Sequence, residues 1–265
     1  MDDLNVKIGT VSVSRGEMEY IRFGTGEKQF VMLCGMNMTG LRGLGGFVSE
    51  AYKMFAQEYT VYVFDRLRVL TEGYTVREMS DDVFELMELL GIGSAEVMGF
   101  SQGGMIAQYL AIDHPEKVDS LVLCATMSRA GDTCNRVLGN WSELGRKKDG
   151  EGIYRDFFHY VYQRPDMHLC SMLAKTATDE QCTRFGILAD ACLKFNSYDE
   201  LHKIKCPVFV VGSEHDRVLG GDRSYELAEA LGCKLYMYPE EEYGHNFCDE
   251  APDYKQRIMD YFHSI

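Results

Sequence analysis

Val97-Met98-Gly99-Phe100-Ser101-Gln102-Gly103-Gly104-Met105 is the stretch on which the fold turns. Residues 95–99 form a short apolar run of strand character, and residues 105–113 continue as a helix. Gly99-x-Ser101-x-Gly103 therefore stands where a strand ends and a helix begins, the context a nucleophile elbow requires. Such a turn lifts Ser101 above the sheet in a strained backbone conformation. Glycines are expected at 99 and 103 because a Cβ there would collide with the neighbouring strand and helix. The turn also sets the Gln102 backbone N–H at a helix N-terminus, where a developing oxyanion is stabilised. An incidental serine in a glycine-rich turn would show the same spacing, but the flanking strand and helix favour the chemical reading.

Outward from this turn, strands and helices alternate. Residues 6–13 and 18–23 alternate apolar and polar side chains around Ser14-Arg15-Gly16-Glu17, which predicts a β-hairpin. The apolar run 30–34 suits a strand buried on both faces, and a glycine-rich segment, 35–46, follows it. A helix is expected over 47–57 and a buried strand over 60–64, ending at Asp65. Residues 75–90 read as an amphipathic helix with Met79, Val83, Leu86 and Leu90 on one face. Its acids Asp81, Asp82, Glu85 and Glu88 are expected on a solvated face rather than around a cation. A strand over 118–124 completes an alternation that indicates a mostly parallel sheet with helices on both faces.

The rhythm breaks between about 127 and 203, which holds helix-like stretches at 153–162, 168–176 and 180–194 and the single Trp141. It resumes with strands at 207–211 and 234–238 and helices at 224–231 and 253–262. The expected division is an α/β core of residues 1–126 and 204–265, with 127–203 inserted as a helical lid.

The 265 residues carry 27 Lys+Arg against 41 Asp+Glu, a net charge of −14, which argues against nucleic acid or an anionic membrane as the main partner. The nine cysteines are scattered and odd in number, with no C-x-x-C pair, so neither a disulfide framework nor a zinc site is expected. Met1-Asp2-Asp3-Leu4 lacks the apolar run of a secretory signal, and no apolar stretch reaches membrane-spanning length. A cytoplasmic setting is the expectation, while nothing speaks to oligomeric state.

A serine hydroxyl is a weak nucleophile unless a base takes its proton. The base should follow a later strand, and His245 in Glu241-Glu242-Tyr243-Gly244-His245-Asn246-Phe247 does so, with Gly244 leaving the imidazole room. His114, His159, His168, His202, His215 and His263 are less well placed. The partner carboxylate is expected at Asp216 in Gly212-Ser213-Glu214-His215-Asp216-Arg217, with Glu214 as runner-up. The order Ser, Asp, His along the chain favours this set. A second oxyanion donor should come from the loop Cys34-Gly35-Met36-Asn37-Met38-Thr39-Gly40, with Met36 N–H as candidate, Gly35 allowing close approach, and Asn37 and Phe100 as pocket contacts.

On these motifs the chain resembles the α/β-hydrolase fold superfamily, among its lidded, cofactor-independent serine hydrolases. The resemblance spans essentially the whole chain and implies an eight-stranded, mostly parallel sheet with the lid between the sixth and seventh strands. By similarity Ser101 is the nucleophile, Asp216 the acid and His245 the base, with Met36 and Gln102 as oxyanion donors. No cofactor or metal is implied. Asp65-Arg66 matches the Asp-Arg that commonly follows the fourth strand. The chain departs from the pattern in having Cys34-Gly35 where His-Gly is usual, and Leu67-Arg68-Val69-Leu70 where a glycine-rich turn is usual. The implied activity is hydrolysis of a small or medium carboxylic ester, lactone or thioester. Alternatives are a C–C bond hydrolase, an aminopeptidase-like or perhydrolase-like enzyme, or, from another class, a ligand-binding receptor that retains the triad.

Overall fold

The computed structural model describes residues 4–239 and 242–265. The acidic start Met1-Asp2-Asp3 and Glu241 of the histidine loop lie outside the described residues. Strands β1 (Lys7–Val13) and β2 (Gly16–Phe23) form the predicted hairpin, joined by a two-residue turn, Ser14-Arg15. They continue into a single eight-stranded sheet with β3 (Lys28–Leu33), β4 (Tyr59–Leu67), β5 (Ala95–Phe100), β6 (Val118–Cys124), β7 (Val208–Ser213) and β8 (Lys234–Tyr238). The order is β1-β2-β4-β3-β5-β6-β7-β8; β1, β2 and β4 pair antiparallel and every later pairing is parallel.

All nine residues of β4 are buried, as a central strand covered on both faces must be. One face packs against helices α2 (Val76–Leu89), α3 (Gln102–Asp113) and α8 (Asp222–Leu231). The other carries α1 (Gly45–Ala51), the 3-10 turn Lys53–Phe55, α9 (Phe247–Glu250) and α10 (Tyr254–Phe262). The stripe expected on the last helix, Tyr254, Ile258, Tyr261 and Phe262, is buried throughout. Each such side chain contributes about 2 kcal/mol by leaving water. The ring of Phe262 meets Phe30 at 5.2 Å and Tyr59 at 5.8 Å, which sets the helix onto β3 and β4.

The acids of α2 correct one expectation. Asp82 is fully buried; it accepts from Arg15 Nη1 at 2.9 Å and from the Tyr74 hydroxyl at 2.6 Å. Burial raises its pKa against the pull of those donors. Glu85 accepts the Ser14 N–H at 2.8 Å, and Glu88 pairs with Lys117. The acids of α2 thus tie the helix to the hairpin turn and to the 3-10 turn Pro115–Lys117, work that a wholly solvated face would not do.

Between β6 and β7 run α4 (Asp132–Lys147), α5 (Gly150–Val161), α6 (Met167–Ala174) and α7 (Asp179–Leu193), followed by the 3-10 segment Tyr198–Lys203. The first of these helices has no counterpart in the sequence reading. It crosses α7 so closely that a Cβ on Gly145 would stand 2.5 Å from the Gly186 Cα. Among the described residues, no helix is long and apolar enough to cross a membrane.

Candidate functional site

Ser101 sits between the last residue of β5 and the first of α3 with φ 54° and ψ −120°, a region costly for any residue with a side chain. The surroundings hold it there. Its N–H donates to the Cys124 carbonyl at 2.8 Å, and its carbonyl accepts from Thr126 Oγ1 at 2.8 Å. A Cβ on Gly103 would run into the Leu33 carbonyl, and one on Gly99 into the backbone at Gly103 and Gly104. Both glycines are therefore dictated by close approach, of helix to β3 and of strand to helix.

His245 lies in the loop after β8, with Nε2 3.1 Å from Ser101 Oγ and Nδ1 2.8 Å from Asp216 Oδ2. Both side chains, His245 and Asp216, are 4% exposed. The other Asp216 oxygen accepts the N–H groups of Val218 and Leu219, each at 2.9 Å, so the carboxylate has one orientation available. An ionised carboxylate only accepts, which puts the imidazole proton on Nδ1 and leaves Nε2 to accept from the serine. This relay is able to draw a proton off Ser101 as a carbonyl is attacked. Glu214, the runner-up acid, instead accepts from the Tyr225 hydroxyl. His114 stacks on Phe84 at 3.7 Å and His263 meets Glu58 at 2.9 Å, so neither joins the site. Gly244 serves a different neighbour from the one expected. A Cβ there would meet Gln163 N and the Val161 carbonyl at 3.4 Å, at the edge of the insertion rather than at the imidazole.

The loop from Cys34 to Gly40 passes beside the serine. A Cβ on Gly35 would come within 2.9 Å of the Phe100 ring and 3.3 Å of Ser101 Cβ, which is why glycine stands there. Arg66 braces this loop. Its guanidinium donates to the carbonyls of Cys34 and Gly35, and it pairs with Asp65 at 3.1 Å while only 2% of its side chain is exposed. Asn37 is committed within the loop: its Nδ2 donates to Asp65 Oδ1 at 3.1 Å and its Oδ1 accepts the Gly40 N–H at 2.8 Å. As the first helical residue, Gln102 leaves its N–H without an intrahelical acceptor. Where a glycine-rich turn was absent from the sequence, β4 runs on to Leu67, whose carbonyl accepts from Arg184 of α7 at 2.7 Å.

Ser101, His245, Met36 and Phe100 border a cavity of about 380 Å³ that Trp141 and Phe157 of the insertion also line. The aromatic residues of the insertion are the sequence's signal for an apolar substrate portion, whereas Cys192 of α7 gives no such signal. Cys192 accepts from Gln102 Nε2 at 3.1 Å, and its thiol donates to Met36 Sδ at 3.8 Å. Gln102 Nε2 also donates to the Leu188 carbonyl at 2.9 Å, so the helix bearing the serine is tied to α7. The three contacts span 86 to 156 residues, beyond reach of any local pattern. Among the described residues, no group of three His, Cys, Asp or Glu is arranged to hold a metal.

Sheet order, crossing helices and the strand-turn-helix bearing Ser101 define a class: the chain has the α/β-hydrolase fold. The proteins it matches by sequence are named as hydrolases. The family model for the alpha/beta hydrolase fold matches residues 55–147. The chain is 29% identical over 229 residues to "Putative carbamate hydrolase RutD" of Caulobacter sp. (strain K31), covering 81% of this chain and 84% of that protein. Among solved structures it superposes on MGS-M2, an α/β-hydrolase from a Medee basin deep-sea metagenome library, with TM-score 0.84 at 20% identity, over 96% of this chain and 97% of the other. The enol-lactonase from Burkholderia xenovorans LB400 superposes with TM-score 0.82 at 19% identity, over 96% and 100%.

Proposed function

We propose that this protein is a serine hydrolase of a small or medium carboxylic ester, lactone or thioester, working through an acyl-enzyme on Ser101. The observation that carries the reading is the buried chain of contacts from Ser101 Oγ through His245 to Asp216, at 3.1 and 2.8 Å. Ser101 Oγ attacks the carbonyl carbon while His245 Nε2 accepts its proton. The oxyanion so formed is held by the N–H groups of Met36 and Gln102. Protonated His245 then gives its proton to the leaving oxygen or sulfur as that bond breaks. Water, deprotonated by His245 in turn, attacks the acyl-enzyme and frees Ser101 with the carboxylic acid. No cofactor or metal enters this sequence. The carbamate named for the Caulobacter relative and the lactone named for the Burkholderia enzyme are both carbonyl substrates, which fits the same steps.

Residues 127–203 act in this reading as a lid over the site. Trp141, with ring centroids 5.7 Å from Phe157 and 5.3 Å from Phe185, gives the cavity an apolar roof that suits an apolar acyl or alcohol portion. The test is hydrolysis of a graded series of p-nitrophenyl esters by the protein and by Ser101→Ala, alongside labelling by a fluorophosphonate. Loss of at least about 10³-fold in rate, with labelling abolished, is expected. An unchanged esterase rate in Ser101→Ala overturns the assignment, and stoichiometric ligand binding without labelling favours a receptor.

A further inference from the structure

A second cavity, about 470 Å³, adjoins the Cys34–Gly40 loop, and its lining shares Thr39 and Gly40 with that of the serine cavity. Its walls hold four guanidinium groups, Arg42, Arg66 and Arg68 from the core and Arg184 from α7, which with Lys148 outnumber the four carboxylates of the lining by one. Such a wall is out of keeping with a chain whose net charge is −14. At the inner end two guanidiniums share one carboxylate. Arg66 stands 3.1 Å from Asp65, and Arg184 stands 3.3 Å from the same residue. Further out, Arg42 and Arg68 converge on Glu19 at 2.7 and 3.5 Å; Arg68 also reaches Glu17, which is half exposed.

The side chains of Arg66 and Arg184 are only 2% and 11% exposed, so their charges are poorly hydrated. Each keeps a buried Nε without an acceptor. A buried guanidinium without a full counter-charge is unfavourable, and an anion entering from solvent supplies what the fold leaves out. Burial and the neighbouring Arg66 both disfavour the charged form of Arg184, against the pull of Asp65.

We propose that the Arg66–Arg184 cleft is a subsite for a carboxylate carried by the substrate at a distance from its scissile carbonyl. Two inner guanidiniums against one carboxylate leave a single positive charge, which matches a monoanion and not a phosphate dianion. The proposal rests on the hydrolase reading and narrows its substrate class to esters, lactones or thioesters that are also carboxylates.

The experiment compares kcat/KM for matched pairs: p-nitrophenyl butyrate with mono-p-nitrophenyl glutarate, and phenyl acetate with 4-acetoxybenzoate, so that the carboxylate lies first on the acyl side and then on the alcohol side. The expected result is a preference of about tenfold or more for the anionic member of one pair, carried by KM and reduced at high salt. Arg184→Gln is expected to abolish the preference, Arg184→Lys to retain part of it, and Arg68→Gln, at the exposed rim, to reduce it a few-fold while leaving the fold unstrained. Neutral esters turned over with no anionic preference in either pair overturn the subsite and leave the hydrolase reading standing. If neither member of either pair is hydrolysed, calorimetric titration of Ser101→Ala with glutarate, and separately with inorganic phosphate, decides the subsite alone. Glutarate binding that exceeds phosphate binding and is lost in Ser101→Ala/Arg184→Gln supports it, and equal or absent binding overturns it.

Discussion

The Cys34–Gly40 loop borders two cavities of opposite character. Toward Ser101 the walls are methionine, phenylalanine and tryptophan, and the polar groups are few and aimed. In the other the walls are arginine and carboxylate, and most guanidinium N–H groups are paired within the fold while the Nε of Arg66 and of Arg184 is not. The apolar side can be shaped by packing alone. The charged side demands compensation residue by residue, because each buried charge left alone costs several kcal/mol. One short loop, clamped by Arg66 through its carbonyls, therefore carries the chemistry on one face and the electrostatics on the other.

The sharpest way to separate the two faces is Asp216→Asn. It keeps the geometry but leaves His245 in the wrong tautomer, so kcat should fall by about 10⁴-fold for neutral and anionic esters alike. A loss confined to anionic esters would break the comparison. Next come substitutions on either side of the loop. Trp141→Ala opens a void among Phe157 and Phe185 and is expected to lower stability by about 3–5 kcal/mol, read by denaturant unfolding. Arg66→Leu leaves the Cys34 and Gly35 carbonyls unpaired and Asp65 short of a partner. A similar loss of about 3–5 kcal/mol is expected, but here kcat should fall as well, because the oxyanion loop loses its clamp. Stability loss without a fall in kcat for Arg66→Leu would sever the proposed link between the faces.

The smallest effect concerns Cys192. Burial pushes its thiol up to about 12, so at pH 8 the neutral, unreactive form prevails, and thiolate accumulates only as pH climbs toward that value. Iodoacetamide at pH 8 should leave esterase activity essentially unchanged. Rapid inactivation that tracks alkylation of Cys192 in peptide mass mapping would contradict it.

Much of the core was readable because its constraints are local. Gly99 and Gly103 announce the elbow since each answers a steric demand from a residue a few positions away or from the adjacent strand. The strand runs at 30–34 and 60–64 are visible for the same reason: burial on both faces leaves no polar positions. Chain order admits both Asp216 and Glu214, and the geometry separates them by which carboxylate reaches His245. Helix α4 does carry the signal, Cys134, Val137, Leu138 and Trp141 at helical spacing; what escaped is the rest of its buried face, Ser142 and Gly145, whose partners on α7 lie far along the chain. Those small residues are there to admit α7, and Ser142 Oγ donates to Asp190 across the crossing. Arg184 escaped for a related reason. Between buried Cys182 and Phe185 it looks like one more charge on a helix, and its partners lie more than 100 residues away.

The amide of Gln102, held by the Leu188 carbonyl and the Cys192 thiol, has an evolutionary consequence. Positions 188 and 192 are expected to act as genetic modifiers of position 102. A change at either re-aims the residue whose N–H is proposed to hold the oxyanion, although neither takes part in bond making. Drift in the insertion then registers as altered turnover, and compensating pairs of substitutions should join α7 to the start of α3 more often than they join α7 to the rest of the sheet.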